Sequence, residues 1–264
     1  PRVFKMRPFD RRQIIHALDV LTVLIARDQK SRYKSTAMGV VWAVASPLLF
    51  LLIFYFLFAV IMPLGIANYA SHVMVGIVVW TWFQTSVTEA VTCIPYNATL
   101  VNLPRFPVAV LPVASVLSNG VTFLMTFPIL LILVWVQAAG PSLPYLALPV
   151  LMLVQAVLTL GLGYFVAALN VSFRDMRYIV PILLQLGYFL TPIFYDLSMV
   201  SERGRMILSL NPLVHIVTAY RAVLIEGRWP DWGAVAVVFA FSVALLFVTL
   251  HYFRRSSYRF LEEI

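Results

Sequence analysis

Four cations crowd one short stretch of this sequence: Arg27, Lys30, Arg32 and Lys34 open RDQKSRYKSTAMGVVWAVASP (27–47), and from Ala37 to Pro63 no charged residue follows. Arg and Lys at that density bind anions, and cations abutting an apolar run are drawn to the anionic lipids of a cytoplasmic leaflet. The stretch reads either as a topology signal alone or also as an entry site for an anionic head group. Glu89 is the second candidate, an acid about one turn from the end of an apolar run; an acid at membrane depth points to function unless it reaches water. Other chemistry is missing. The lysines are Lys5, Lys30 and Lys34, and no glycine precedes Gly39, so a G-x-x-x-x-G-K-[ST] phosphate loop cannot form. His16, His72, His215 and His251 are far apart and Cys93 is alone, which leaves no metal-ligand spacing and no internal disulfide. No His stands five residues before an Asp and no two Asp stand three apart, so acyltransferase and prenyl-diphosphate patterns are absent. No Ser/His/acid set is legible either. The chain is not expected to be an enzyme.

The elements around these residues are apolar. The chain has 264 residues, 62% hydrophobic and 11% charged, with mean hydropathy +0.92. A soluble domain carries about 25% charged residues. Uncharged runs of about 20 residues favour helices over barrel strands, so the expected fold is an all-α integral membrane protein. The net charge is +8. These cations sit beside apolar runs, so membrane topology rather than nucleic acid accounts for them. The N-terminal PRVFKMRPFDRR has no apolar core and is not a cleaved signal peptide; the missing Met suggests a trimmed start.

Two domains are expected. The first, 1–36, is a cytoplasmic basic segment with an amphipathic helix over 10–28, capped by Asp10. Ile14, Leu18, Leu21 and Ile25 share one face, to lie in the membrane interface or against a partner. The second, 37–264, holds six spans near 40–61, 72–93, 108–136, 146–169, 179–195 and 234–253. Pro112 and Pro128 can kink the third span, while Ser115, Ser118 and Asn119 offer polar contacts. Gly163 and Ala167 form a small-xxx-small pair in the fourth. Three prolines bracket a short helix in 94–107. The segment 196–231, interrupted at Asn211-Pro212, reads as two half-length helices that dip into the membrane and return. Inner segments then carry Arg2, Lys5, Arg7, Arg11, Arg12, the quartet, Arg105, Arg174, Arg177, Arg254, Arg255 and Arg259. Outer segments carry only Arg203, Arg205, Arg221 and Arg228. This bias puts both termini in the cytoplasm. A carrier without a phosphate loop either couples to an ion gradient or takes work from a separate ATPase. Composition leaves both open.

Four stretches carry a family resemblance: RDQKSRYKSTAMGVVWAVASPLL, NLPRFPVAVLP, NVSFRDMRYIVPILLQLGYFLTPIFY and LNPLVHIVTAYRAVL, in that order. They resemble the type-2 ABC permeases that export O-antigen, capsule or teichoic-acid polymers, over nearly the whole chain. The resemblance implies a homodimer in the bacterial inner membrane with two copies of a cytoplasmic ATPase subunit. ATP and Mg would sit on that partner, with no cofactor in this chain. The implied substrate is a glycan on a polyprenyl-diphosphate lipid, with a small-molecule exporter of similar fold as the alternative. Arg27, Lys30, Arg32 and Lys34 would then load the diphosphate head group, since Arg pairs with phosphate oxygens bidentately. The stretch 94–107 would be the coupling loop, with Asn97, Leu100, Asn102 and Arg105 facing the ATPase. Asn211, Pro212, His215 and Arg221 would form the external gate, where Arg221 either holds the gate or receives the diphosphate. Tyr188 and Tyr195, seven apart and so on one helical face, would line the channel with Tyr55 and Phe58 opposite. NPLVHIV is closer to capsule exporters and the stretch from Arg27 to O-antigen exporters, so the polymer class stays open.

Overall fold

The computed structural model describes residues 11–34, 41–104, 106–137 and 140–263, and among these every regular element is helical. Asp10 and Arg105 fall outside them, so the helix cap and one coupling residue expected there are not described. In chain order the helices are α1 (Arg11–Lys34), α2 (Val41–Tyr55), α3 (Tyr69–Tyr96), α4 (Ala98–Val101), α5 (Val110–Gln137), α6 (Leu148–Ser172), α7 (Met176–Phe189), α8 (Glu202–Leu208), α9 (Pro212–Leu224) and α10 (Trp232–Glu263). A wider-wound π turn, Phe56–Ile61, extends α2, and a 3₁₀ turn, Leu143–Ala147, leads into α6.

α3 is the axis. Its side chains from Tyr69 to Trp80 are all buried, and α2, α5, α6, α7 and α9 pack around it. With 28 residues it is about 42 Å long. Apolar and small side chains on every side of it let its neighbours enclose it. Close approach comes from small residues. A Cβ on Gly163 would lie 3.4 Å from the Ala90 Cβ of α3. One on Gly161 would lie 3.1 Å from Leu245 Cγ of α10, which runs along α6. Gln155 donates to Val79 O at 2.9 Å and Trp82 Nε1 to Val116 O at 3.1 Å, so polar groups in the interior are used between helices.

Val110–Gln137, Leu143–Ser172 and Trp232–Ser256 are each long and apolar enough to cross a membrane, which makes this a multi-pass membrane protein. α8 and α9 are bent by 101° at their break, as expected for paired half-helices. Three expectations need correction. α1 does not stop near residue 28 but continues to Lys34. Its buried side is Ala17, Val20, Leu21 and Leu24, whereas Ile14 and Leu18 are exposed; the bundle takes one edge of the apolar face and leaves the other uncovered. The fifth span is not one helix to residue 195. α7 has 14 residues, about 21 Å against the roughly 30 Å of a hydrocarbon core. It ends at Phe189 because Pro192 removes a donor and disfavours a helical Thr191. Tyr195 therefore does not share a helical face with Tyr188. The helix expected inside 94–107 is a single turn, because α3 runs through Pro95 to Tyr96 first.

Candidate functional site

Polar side chains gather at the two ends of α3. At its C-terminal end, α1 is tied down by an ionic network. Arg32 donates to Glu89 Oε2 at 2.6 Å, to Asp28 Oδ2 at 2.9 Å and to Asn119 Oδ1 at 2.8 Å. Asn119 Nδ2 returns a bond to Glu89 at 2.7 Å, and Ser118 Oγ donates to Asp28 at 2.6 Å. Gln29 donates to Ser118 Oγ at 2.9 Å. Burial disfavours the Arg32 cation, but the carboxylates of Glu89 and Asp28 outweigh it and hold the guanidinium above its ordinary pKa. One turn back, Arg27 donates to Asn97 Oδ1 at 2.9 Å, while Asn97 Nδ2 donates to Cys93 O at 2.8 Å. Asn97 stands at the junction of α3 and α4. A cleft of about 340 Å³ opens among these groups.

The basic quartet is thus not one patch. Arg27 and Arg32 are engaged by the bundle, Lys30 is exposed, and the Lys34 side chain is outside the described residues. Of the coupling candidates, Leu100 packs into the apolar cluster beneath α1 and Asn102 is exposed after α4.

At the other end of α3 the chain leaves α7 and runs unwound through 190–196, a stretch of backbone without helical partners. Three successive carbonyls there are met by side chains. Arg221 donates to Ile193 O at 2.9 Å, Tyr69 to Phe194 O at 3.1 Å, and His72 Nε2 contacts Tyr195 O at 3.2 Å. Only a donor satisfies a carbonyl, which places the His72 proton on Nε2. Arg221 is 5% exposed and also donates to His72 O from Nε at 3.2 Å and Nη2 at 3.1 Å. Asn211 caps α9 by accepting from Leu213 N at 3.0 Å, and its amide donates to Thr191 Oγ1 at 3.0 Å. Pro212 occupies the first turn of α9, where no N–H is needed. His215 contacts Ser209 O at 2.8 Å across the α8–α9 break. Irregular backbone persists at depth only when every such group is paired. The four gate candidates therefore do come together around the unwound segment and the break. Arg221 donates to backbone there, and it also lines a cleft of about 570 Å³ together with His72, Asp196 and Arg228.

The aromatic candidates divide. Phe58 stacks on Phe54 at 6.2 Å and on Phe194 at 5.7 Å. Tyr188 lies 6.3 Å from Phe54 and edge-on to Trp80 at 5.7 Å, with its hydroxyl buried and unpartnered. Tyr195 joins through Phe194 at 5.2 Å. Tyr55 points elsewhere and is 45% exposed.

The sequence does not mark the partners of Arg32 as a set: Glu89 and Asn119 stand out there only singly. Nothing local links residues 57 and 87 positions apart.

The chain matches the ABC-2 type transporter family over residues 19–225. It is 34% identical to the O-antigen export system permease protein RfbA of Myxococcus xanthus, over 96% of this chain and 98% of that one. It is 32% identical to the RfbA permease of Klebsiella pneumoniae, over 94% and 95% of the two chains. The polysialic acid transport protein KpsM of Escherichia coli is 24% identical, over 88% and 91%.

Proposed function

Because the chain belongs to the ABC-2 type transporter family, we propose that it is the transmembrane subunit of an ATP-driven exporter. It moves a polyprenyl-diphosphate-linked glycan outward across the bacterial inner membrane. The observation that carries this reading is the match over almost the full length of two permeases named for O-antigen export. Their identity, 32–34% against 24% for the polysialic acid protein, favours an O-antigen-type polymer.

In this reading six spans are formed by α2 with its π turn, α3, α5, α6, α7 with the unwound segment after it, and α10. Both termini are cytoplasmic, and two copies pair with two ATPase subunits that carry ATP and Mg. α4 receives the power stroke. The Arg27–Asn97 bond supports this, since it joins the surface helix α1 to the root of α4. The engagement of Glu89 by Arg32 and Asn119 favours the ATP-driven reading over an ion-coupled carrier, which needs an acid free to change its proton. The unwound segment, α8 and α9 close the outer side.

The test is reconstitution into proteoliposomes with and without the partner ATPase. Lipid-linked glycan should cross only when that subunit and ATP are present. Transport by the chain alone, driven by a proton gradient, would overturn the proposal.

A further inference from the structure

A second cleft, of about 520 Å³, lies beside the first, between the C-terminal ends of α3 and α6 and the start of α7. Thr92, Tyr96, Asn170, Arg174 and Arg177 line it. Three features mark it as more than a surface depression. Asn170 is 5% exposed, yet its amide oxygen has no hydrogen-bond partner. A buried amide left unpaired is rare and costly, and it signals a missing polar group. Arg174 and Arg177 line the cleft with two exposed guanidinium groups, and Asp175, between them in the sequence, is exposed too. Arg177 is braced 4.7 Å over the Tyr178 ring. Tyr96 is 87% exposed, an aromatic ring standing uncovered at the mouth.

Just beyond the cleft, α7 leaves a line of apolar side chains uncovered: Ile179, Ile182, Leu183 and Leu186. Their spacing puts them on one helical face. A phosphate needs bidentate donors, a sugar hydroxyl pairs with an amide, and a sugar ring lies against an aromatic face. An isoprenoid chain needs an apolar track. The cleft and the α7 face supply all four in one continuous run. On α1 the carboxylates of Asp28 and Glu89 already balance the Arg32 charge, and Arg27 holds Asn97.

We propose that this cleft, and not the α1 quartet, seats the diphosphate and first sugar of a polyprenyl-linked substrate, with the tail along α7. This rests on the exporter reading above and specifies its loading site. The diphosphate pairs with Arg174 and Arg177, a sugar hydroxyl with Asn170, and the ring with Tyr96.

The experiment uses the full permease with its ATPase in nanodiscs of zwitterionic lipid. Retention of undecaprenyl diphosphate is compared with that of phosphatidylglycerol and inorganic pyrophosphate. The wild type should retain undecaprenyl diphosphate at least tenfold better than either. Arg174→Gln/Arg177→Gln should lower that retention tenfold or more, and Asn170→Asp, of equal size, should lower it too by adding a negative charge. The double variant touches only exposed side chains, so it keeps the test decisive if Asn170→Asp folds poorly. Unchanged retention in the double variant would overturn the site and leave the exporter reading intact. Equal retention of inorganic pyrophosphate would do the same, by showing a general anion site. Loss of the ATPase from the double variant, with lipid retention unchanged, would reassign the arginines to subunit docking. A wild-type complex that neither retains the lipid nor exports glycan would remove the exporter reading itself.

Discussion

Replacing Arg221 by Met separates its two possible roles, because Met keeps most of the volume and removes every donor. The guanidinium makes three hydrogen bonds to two carbonyls. The two acceptors are not equivalent. His72 O lies inside α3 and keeps its helical partner, so its loss is small. Ile193 O lies in unwound backbone and would be left bare in a buried place. A buried carbonyl without a partner costs about 1–3 kcal/mol, and a bond from a charged donor is worth about 1.5–3 kcal/mol. Against this, Met relieves the desolvation of a buried cation. The net expectation for Arg221→Met is about 2 kcal/mol. Arg221→Ala adds an unfilled cavity and should cost about 3–4 kcal/mol. Arg221→Lys, whose ammonium can reach one carbonyl, should fall below the Met variant. The order Ala, Met, Lys is readable by SDS titration of the protein in mixed micelles, followed by helical circular dichroism. A Met variant within about 0.5 kcal/mol of wild type would refute the reasoning. The donor would then be dispensable to the fold, and a loss of export in that stable variant would return Arg221 to the role of an anion receiver.

Four further outcomes are expected. A double-mutant cycle on Arg32→Ala and Glu89→Ala should give a coupling of about 1–2 kcal/mol in the same titration. That lies between exposed and buried ion pairs, because both side chains retain some exposure. Coupling below about 0.3 kcal/mol would show that the pair holds nothing. Gly76→Ala should cost about 1–3 kcal/mol and expose 190–196 to hydrogen exchange, since the new Cβ would lie 3.0 Å from Ile193 Cα and 3.2 Å from Arg221 Nη2. Asn97→Ala should leave the ATPase bound and hydrolysing in proteoliposomes while less glycan crosses per ATP; an unchanged ratio would release the Arg27–Asn97 bond from any part in coupling. Tyr188→Phe should raise stability by about 1 kcal/mol in the same titration, because it removes a buried hydroxyl that has no partner; a loss of stability would show that the hydroxyl is paired.

Elements were easier to read from the residues than the contacts among them. Long uncharged runs imply helices because a bilayer admits few alternatives, and α5, α6 and α10 fall close to where those runs lie. Asn211-Pro212 announced its break through the lost donor of Pro212, and the 101° bend follows. Ser118 and Asn119 stood out as polar positions in an apolar run, and both reach α1. The fifth span misled because hydropathy continues through 190–195 after helicity has stopped. Only the Thr191-Pro192 pair signals the end, and a proline in a membrane helix more often kinks than terminates it. The apolar face of α1 was displaced for a different reason. A helix on a membrane surface divides its apolar side between protein and lipid, and periodicity cannot assign the shares.

α3 joins the two polar regions. At one end it offers Glu89 and Asn97, which hold α1 and the root of α4. At the other it offers Tyr69 and His72, which hold unwound carbonyls, and Gly76, whose missing side chain lets that segment lie against the helix. Between them the helix is buried on every side from Tyr69 to Trp80 and on part of its surface down to Ile94, with little room to bend or slide. The attached pieces are built differently. α4 is a single turn, 190–196 has no helical ladder, and α8 and α9 meet at a break. Short or unwound backbone held by a few side chains opens at lower cost than a packed helix. In the exporter proposed above, a push on α4 would have two outlets, a rotation of α3 as a rigid rod or the release of its tethers. Rotation would carry Tyr69, His72 and Gly76 together and shift Ile193, Phe194 and Tyr195 as a block. The spacing of those contacts, three residues on one face over two turns of α3 against three in succession on the facing stretch of chain, suits the block motion.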